Sequence, residues 1–381
     1  MLKKDFKTNN FDLIRIVSAA LVIINHSVAH LDLQTPFLFK MVQQFQRVPM
    51  FFVMSGYLLS ASFERNNNLK NYFTNRLLRI YPALWACLIF TVVVFALIGR
   101  VNFFNSETLP WFFSQMLGII YTPHFLLNFG FGSYNGSLWT ILVELQFYIA
   151  LPIIYFLSTL FSKKFLKEKT SDLYFYFLFA LSVLLAICLK LYFPSDGLES
   201  KVEKVIRYTF LPHIYIFMSG ILLQRLKIYK SDFVFGKGLY WAAAYLLFVY
   251  LVPDSAFKAV IAMMVLAVFT ISIAYSKPGI ATKFLNNRDI SYGVYLYHGM
   301  LLTLLVQFNM KGSGYYLLLV AVVTFILACL SYKFVELPAM SLAKKKNKTR
   351  DSKDKPIFKK KFLPEVLSAG AFNASNGASA N

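Results

Sequence analysis

Runs of about twenty apolar residues follow one another from Phe11 to Val335. A helical run of that length matches the hydrocarbon core of a bilayer, about 30 Å thick. Backbone amides in hydrocarbon must bond within their own segment, so such runs are read as membrane helices. The chain therefore reads as an all-α polytopic membrane protein with no room for a large soluble domain. The net charge of +21 would suggest nucleic acid in a soluble protein. Here the basic residues cluster between apolar runs, as they do in cytoplasmic loops, and nucleic-acid binding is excluded. Cys87, Cys188 and Cys329 sit inside apolar runs without metal-ligand spacing. They read as small buried hydrophobes, and no metal is expected.

About ten transmembrane helices place nearly every basic loop on one side, with both termini cytoplasmic. The expected spans are 11–30, 48–63, Pro82 to Ile98, 138–161, 173–193, 210–224, 239–252, 257–275, 290–309 and 315–335. FERNNNLKNYFTNRLLRI (63–80) and SKKFLKEK (162–169) are inner loops under this scheme. Val101 to Ser137 is external, and Trp111 to Leu127 is too short an apolar stretch to cross, so it is re-entrant or lies along the interface. The tip NFGFGSYNGS is Gly-rich and expected to be mobile. Residues 1–340 form the membrane domain. Residues 341–381 form a basic cytoplasmic tail expected to be disordered, its polybasic part suited to anionic lipid.

The first span, FDLIRIVSAALVIINHSVAH, carries Asp12, Arg15, His26 and His30 on one helical stripe. Arg15 and His26 are eleven residues apart, within about 20° of alignment and about 16 Å along the axis. Snorkelling to an interface accounts for Asp12. It does not account for His26, which has apolar residues on both sides. An ionisable stripe in a span faces protein or a wet cavity.

Depth along each helix brings further polar groups to similar levels. His26 lies about 6 Å below the outer end of its span, Glu144 about 9 Å, and Ser55 with Gly56 about 10–12 Å. His298 falls near the midplane. Glu144 beside a histidine suggests a base and its orienter. Ser55-Gly56 fits close helix packing better than a nucleophile. His298 is either part of the site or part of a tyrosine-rich structural cluster; His124 and His213 read as structural or interfacial. At the cytoplasmic end, Arg76 and Arg79 are one turn apart in NRLLRIYP. With Arg15 at the same level, they suit phosphate.

These residues resemble the acyltransferase-3 family of integral membrane acyltransferases. The resemblance rests on FDLIRIVSAALVIINHS, VPMFFVMSGYLL, NRLLRIYP, GSLWTILVELQFYIALP, ISYGVYLYH and SYKFVELP, in that order between Asn10 and Met340. It implies a bacterial cytoplasmic-membrane enzyme that moves an acyl group, usually acetyl, from cytoplasmic acyl-coenzyme A to a hydroxyl of an extracytoplasmic glycan. By position, His26 matches the family's essential histidine and Arg15 its paired arginine, while Arg76 and Arg79 match the donor-side pair. Glu144 matches the acidic position of the Trp139-containing element. Ser55, Trp139, Tyr148 and His298 are placed as substrate-binding or supporting residues. The resemblance leaves open direct transfer or an acyl-imidazole intermediate. A reading from another class uses the same buried charges as the path of a transporter or flippase for an anionic lipid-linked sugar.

Overall fold

The computed structural model describes residues 8–351 apart from 36, 67, 100, 166–170, 194–200 and 286–287. The described residues are helical, without a strand. In chain order the helices are α1 (Phe11–His30), α2 (Phe37–Gln43), α3 (Arg47–Arg65), α4 (Leu69–Leu97), α5 (Thr108–Met116), α6 (His124–Leu127), α7 (Trp139–Phe165) and α8 (Ser171–Tyr192). They continue as α9 (Lys201–Arg207), α10 (Ile214–Arg225), α11 (Gly238–Leu251), α12 (Ala256–Ala274), α13 (Ile280–Leu285), α14 (Ser291–Gln307), α15 (Gly314–Ser331) and α16 (Leu337–Asp351). A π-helical turn, Tyr332–Glu336, joins α15 to α16. Of the basic tail, residues up to Asp351 belong to α16, and residues 352–381 lie outside the described residues.

Six described segments are long and apolar enough to cross a membrane: α1, α4, the helix beginning at Gly136, α8, α12, and α15 with its continuation to Ala343. The chain is thus a multi-pass membrane protein. Each of the other expected spans is also a helix, but shorter or more polar. Helix α11 is apolar but only 14 residues long; for α10 and α14 the reason is where they sit. Almost every residue of α14 from Ser291 to Leu305 is buried, and α10 is buried from Tyr215 to Leu223. A helix wrapped in other helices does not need a continuous apolar surface. By contrast, only 17% of the α8 window and 22% of the α15 window are buried, and these are among the most apolar segments. They present that surface outward.

Glycine sets the closest approach in the bundle. A Cβ built on Gly56 of α3 would fall 2.1 Å from the Phe217 carbonyl oxygen of α10. One on Gly220 of α10 would fall 2.2 Å from the Val53 carbonyl oxygen of α3. The two backbones therefore meet through reciprocal glycines, and the packing role read for the Ser55-Gly56 pair falls to Gly56. One end of this pair is locked by Arg225, which bonds Glu64 of α3 and Asp172 of α8, the latter at 2.8 Å, with its guanidinium 4.1 Å from the Phe175 ring centre.

Two expectations change. The helix containing Pro82 does not start there: α4 begins at Leu69, capped by Asn68, whose side chain accepts from the Asn71 amide at 3.1 Å. Polar residues after the cap obscured the start, and an interior proline is tolerated in membrane helices. The Gly-rich tip is not a free loop either. Asn135 donates to the Leu296 carbonyl at 2.7 Å, Thr303 donates to the Ser133 carbonyl at 2.9 Å, and the Gly130 amide donates to Gln307 at 2.7 Å. The glycines allow close approach to α14; Gly130, at φ +60°, would put a Cβ 2.6 Å from the Thr303 carbonyl oxygen. Helices α5 and α6 have nine and four residues, each too short to cross a bilayer. Trp111 is fully buried against Phe103, Phe125 and Tyr134.

Gly56→Ala is expected to destabilise the protein by about 1–3 kcal/mol through overpacking. Thermal unfolding of detergent-purified protein reads this as a lowered midpoint. An unchanged midpoint would contradict the reciprocal-glycine contact.

Candidate active site

The charged stripe of α1 reaches two adjoining cavities. The first is about 90 Å³ and is lined by Arg15, Ser55, Arg79, Glu144, Tyr148 and Tyr295, among others. The second is about 220 Å³ and is lined by Asn25, His26, Arg47, Ser137, Trp139 and Tyr295, among others. Val48 and Tyr295 line both. Tyr295 is held at this boundary by Thr140, 2.6 Å away, and by donating to the Ser137 carbonyl. Five residues read from the sequence thus surround one space, and His26 with Trp139 faces the next.

At the Arg15 end the organising group is Asp289, a residue the sequence reading missed. Its Oδ2 accepts from Arg15 Nη1 at 3.0 Å and from Arg79. Its Oδ1 accepts from the Ser291 amide at 3.1 Å and from the Ser291 hydroxyl, so it also satisfies the first amide of α14. Asp12 adds a second carboxylate to Arg15 at 3.2 Å. Burial alone would raise the Asp289 pKa; Arg79, then Arg15 and Ser291, outweigh it and hold the carboxyl at about 2. The contribution is present above the ordinary carboxylate value of 3.8 and is lost as pH falls through about 2. The one hint in the sequence is an acid directly before the ISYGVYLYH helix in an otherwise basic loop.

Arg76 differs from its two neighbours. Among the described residues it pairs with no carboxylate; its guanidinium lies 5.9 Å from the ring centres of both Tyr72 and Tyr148, and its Nε is buried without a hydrogen bond. Of the three arginines, it is the one whose charge is not already matched. The buried Glu336, from SYKFVELP, accepts from Ser331 at 3.3 Å beside this end.

At the other end His26 does not meet Glu144. Glu144 accepts from Tyr148 at 2.7 Å and from Ser55 at 3.3 Å. The partner of His26 Nδ1 is His298 Nε2, 3.1 Å away, with the Ser137 hydroxyl 3.2 Å from both nitrogens. His298 is fully buried behind His26. Ser137 is presented by the Asn135 turn, where Asn135 Oδ1 accepts from the Ser137 amide at 3.1 Å. Gly299 allows the approach, since a Cβ there would lie 2.3 Å from Asn135 Oδ1. Depth counted along each helix put Glu144 nearer the level of His26 than His298, but such counting ignores tilt and does not fix azimuth, and the structure pairs His26 with His298. Ser137 was hidden in a segment that composition alone assigned to a loop.

His213 has its ring against Phe52 and Trp139 and its Nε2 3.0 Å from the Arg207 carbonyl oxygen. His124 pairs with Glu107, whose side chain also accepts from the His124 amide at 2.7 Å. That hydrogen bonding holds the Glu107 carboxyl below its ordinary value. Among the described residues no cluster of His, Cys, Asp and Glu is suited to a metal.

The profile of the acyltransferase-3 family, described as an acyltransferase domain, matches residues 8–333, and the chain belongs to this family. It is 28% identical to nodulation protein 10 of Rhizobium leguminosarum bv. viciae over 363 residues, covering 88% of this chain and 94% of that protein. An O-acetyl transferase of Shigella phage Sf6 is 34% identical over 154 residues, 38% of this chain and 44% of the phage protein. The peptidoglycan O-acetyltransferase OatA of Listeria monocytogenes is 24% identical over 333 residues, 76% of this chain and half of OatA. No solved structure matches the chain. The chain is accordingly a membrane-bound O-acyltransferase, and the transporter reading is set aside.

Asp289→Asn should destabilise the protein by about 3 kcal/mol, because it leaves two arginines around a neutral group. Thermal unfolding at neutral pH would show this. An unchanged midpoint would mean that the arginines are held by something other than Asp289.

Proposed function

We propose that this enzyme transfers an acyl group, most simply acetyl, from cytoplasmic acyl-coenzyme A to a hydroxyl of an extracytoplasmic glycan. It works in the bacterial cytoplasmic membrane, with ten helices crossing and both termini inside. The carrying observation is that α1 brings Arg15 and His26, about 16 Å apart, to two adjoining cavities with Tyr295 between them.

Donor phosphates bind at the arginine end, first on Arg76, whose charge is unmatched, and then on Arg79 and Arg15 as their bonds to Asp289 rearrange. A cavity of 90 Å³ is far smaller than a site for a whole nucleotide cofactor. The nucleotide therefore stays at the cytoplasmic mouth, and the acyl end of the pantetheine arm enters. Ser55, Tyr148 and Glu144 form the polar wall along that path.

The acceptor arrives through a third cavity of about 850 Å³, which shares Gln46, Val48, Pro49 and Trp139 with the His26 cavity. Trp139 supplies an aromatic face for a sugar ring. His26 acts as the general base through Nε2, because its Nδ1 is turned to His298 and Ser137. In that tautomer Nδ1 carries the proton and donates to His298 Nε2 or the Ser137 hydroxyl, which orients the ring and steadies the imidazolium that forms. His298 and Ser137 thus fill the orienting role that the sequence reading gave to Glu144.

The relatives named as O-acetyltransferases support acetyl as the group moved, and the one named for peptidoglycan supports a glycan acceptor. The test is turnover of acetyl-coenzyme A by purified protein with a cell-envelope glycan extract, following free thiol and the mass of the glycan. His26→Ala should abolish glycan acetylation at unchanged expression. His298→Gln should lower the rate about 10²-fold, the scale of general acid–base assistance. Full acetylation by His26→Ala would refute the mechanism.

A further inference from the structure

Arg47, the first residue of α3, is 7% exposed and lines the same cavity as His26. One of its nitrogens, Nη1, donates to the Gln43 carbonyl at 3.2 Å. Nε and Nη2 are buried without any hydrogen-bond partner. No carboxylate among the described residues pairs with it. Arg15 and Arg79, which share Asp289, and Arg225, held by Glu64 and Asp172, contrast with this; Arg76 also lacks a carboxylate, but it leaves one buried nitrogen unbonded where Arg47 leaves two, and it lies against the Tyr72 and Tyr148 rings.

A permanently charged guanidinium held out of water without a counter-charge costs several kcal/mol. The Gln43 bond offsets a small part of this. The neighbouring positive end of α3 makes the site more electropositive still. Two unfilled donors beside the proposed general base call for a negative group that is absent from the resting protein. In acyl transfer such a group forms transiently, on the carbonyl oxygen of the acyl group under attack.

We propose that Arg47 is a further catalytic residue, binding the oxyanion of the tetrahedral intermediate through Nε and Nη2. This rests on the acyl-transfer reading with His26 as base. In the first half of the step the acceptor hydroxyl gives its proton to His26 Nε2. Its oxygen bonds to the thioester carbonyl carbon, and the carbonyl π pair moves onto oxygen, where Arg47 receives it. In the second half that pair re-forms the carbonyl, the C–S bond breaks, and the thiolate takes the proton from the imidazolium. Arg47 then loses its anionic partner, and the site resets. Preorganised donors of this kind in a site shielded from water act on the transition state more than on bound substrate.

The experiment compares wild type, Arg47→Met, Arg47→Lys and His26→Ala in detergent or proteoliposomes, with acetyl-coenzyme A as donor. Acceptors are the envelope glycan extract and, separately, water, which reports thioester hydrolysis. Arg47→Met should lower kcat about 10²–10³-fold, leave the KM for acetyl-coenzyme A within about threefold, and depress hydrolysis by the same factor as glycan transfer. Its unfolding midpoint should be unchanged or higher, since a buried unpaired charge has been removed. Arg47→Lys should recover about tenfold of the lost rate.

An Arg47→Met enzyme with wild-type kcat overturns the proposal. So does a defect confined to glycan transfer with hydrolysis intact, which would make Arg47 a reader of an acidic group on the acceptor. A lowered midpoint at unchanged kcat would make it structural and also overturns it. Should the methionine variant not fold, Arg47→Lys at wild-type kcat, or with a raised KM alone, overturns it equally. Failure of the underlying reading is separate: wild type would then not turn over the thioester at all, or His26→Ala would equal wild type.

Discussion

Charge inside a membrane protein has to be enclosed and answered by other protein groups, and this constraint organises the whole molecule. Helix α1 carries two charged residues and two histidines along one stripe. Exposing that stripe to lipid would be costly, so α3, α14 and α15 wrap it. Helix α14 is thereby almost wholly buried, whereas α15 meets the stripe on one side only and turns most of its surface outward. That is why α14 can be short and rich in tyrosine and small residues, while α8 and α15 remain almost wholly apolar.

The two ends of the stripe answer the constraint differently. At the Arg15 end one buried carboxylate, Asp289, bridges two arginines and bonds the first amide of α14. The charges are paired at rest, and an anionic ligand can compete for them. At the His26 end neutral groups satisfy one another: two imidazoles and a hydroxyl form a closed triangle with sides of 3.1–3.2 Å. Arg47 is the exception there, with Nε and Nη2 buried and unbonded. Tyr295, bonded to Thr140 and to the Ser137 carbonyl, separates the two chemistries.

Much of the fold was legible because hydropathy reports helices directly: α1, α8 and α12 fall within a few residues of where the apolar runs put them. The start of α4 was not, since Asn68 and the polar turn after it look like a loop until the cap is seen. The Gly-rich tip misled because composition does not separate glycines that allow motion from glycines that allow contact. At the site, Arg15, Arg79, Ser55, Glu144 and Tyr148 were legible as buried polar groups, and they share one cavity. Asp289, Ser137 and Arg47 were not. Each sits just outside an apolar run, where a polar residue is unremarked, and each takes its meaning from partners on other helices. The pairing of His26 with His298 over Glu144 depends on helix tilt and azimuth, which a single sequence does not encode.

The central claim is that the donor enters at the arginine end and the acceptor at the His26 end, so that transfer crosses the bilayer within one bundle. Proteoliposomes containing the enzyme in a single known orientation test this most directly. Acetyl-coenzyme A is sealed on the side of the Arg15 end, and the envelope glycan extract is added to the other side. The account predicts acetylated glycan outside and free thiol retained inside, with no product when the two substrates exchange sides. Acetylation only when donor and acceptor share a compartment would contradict it.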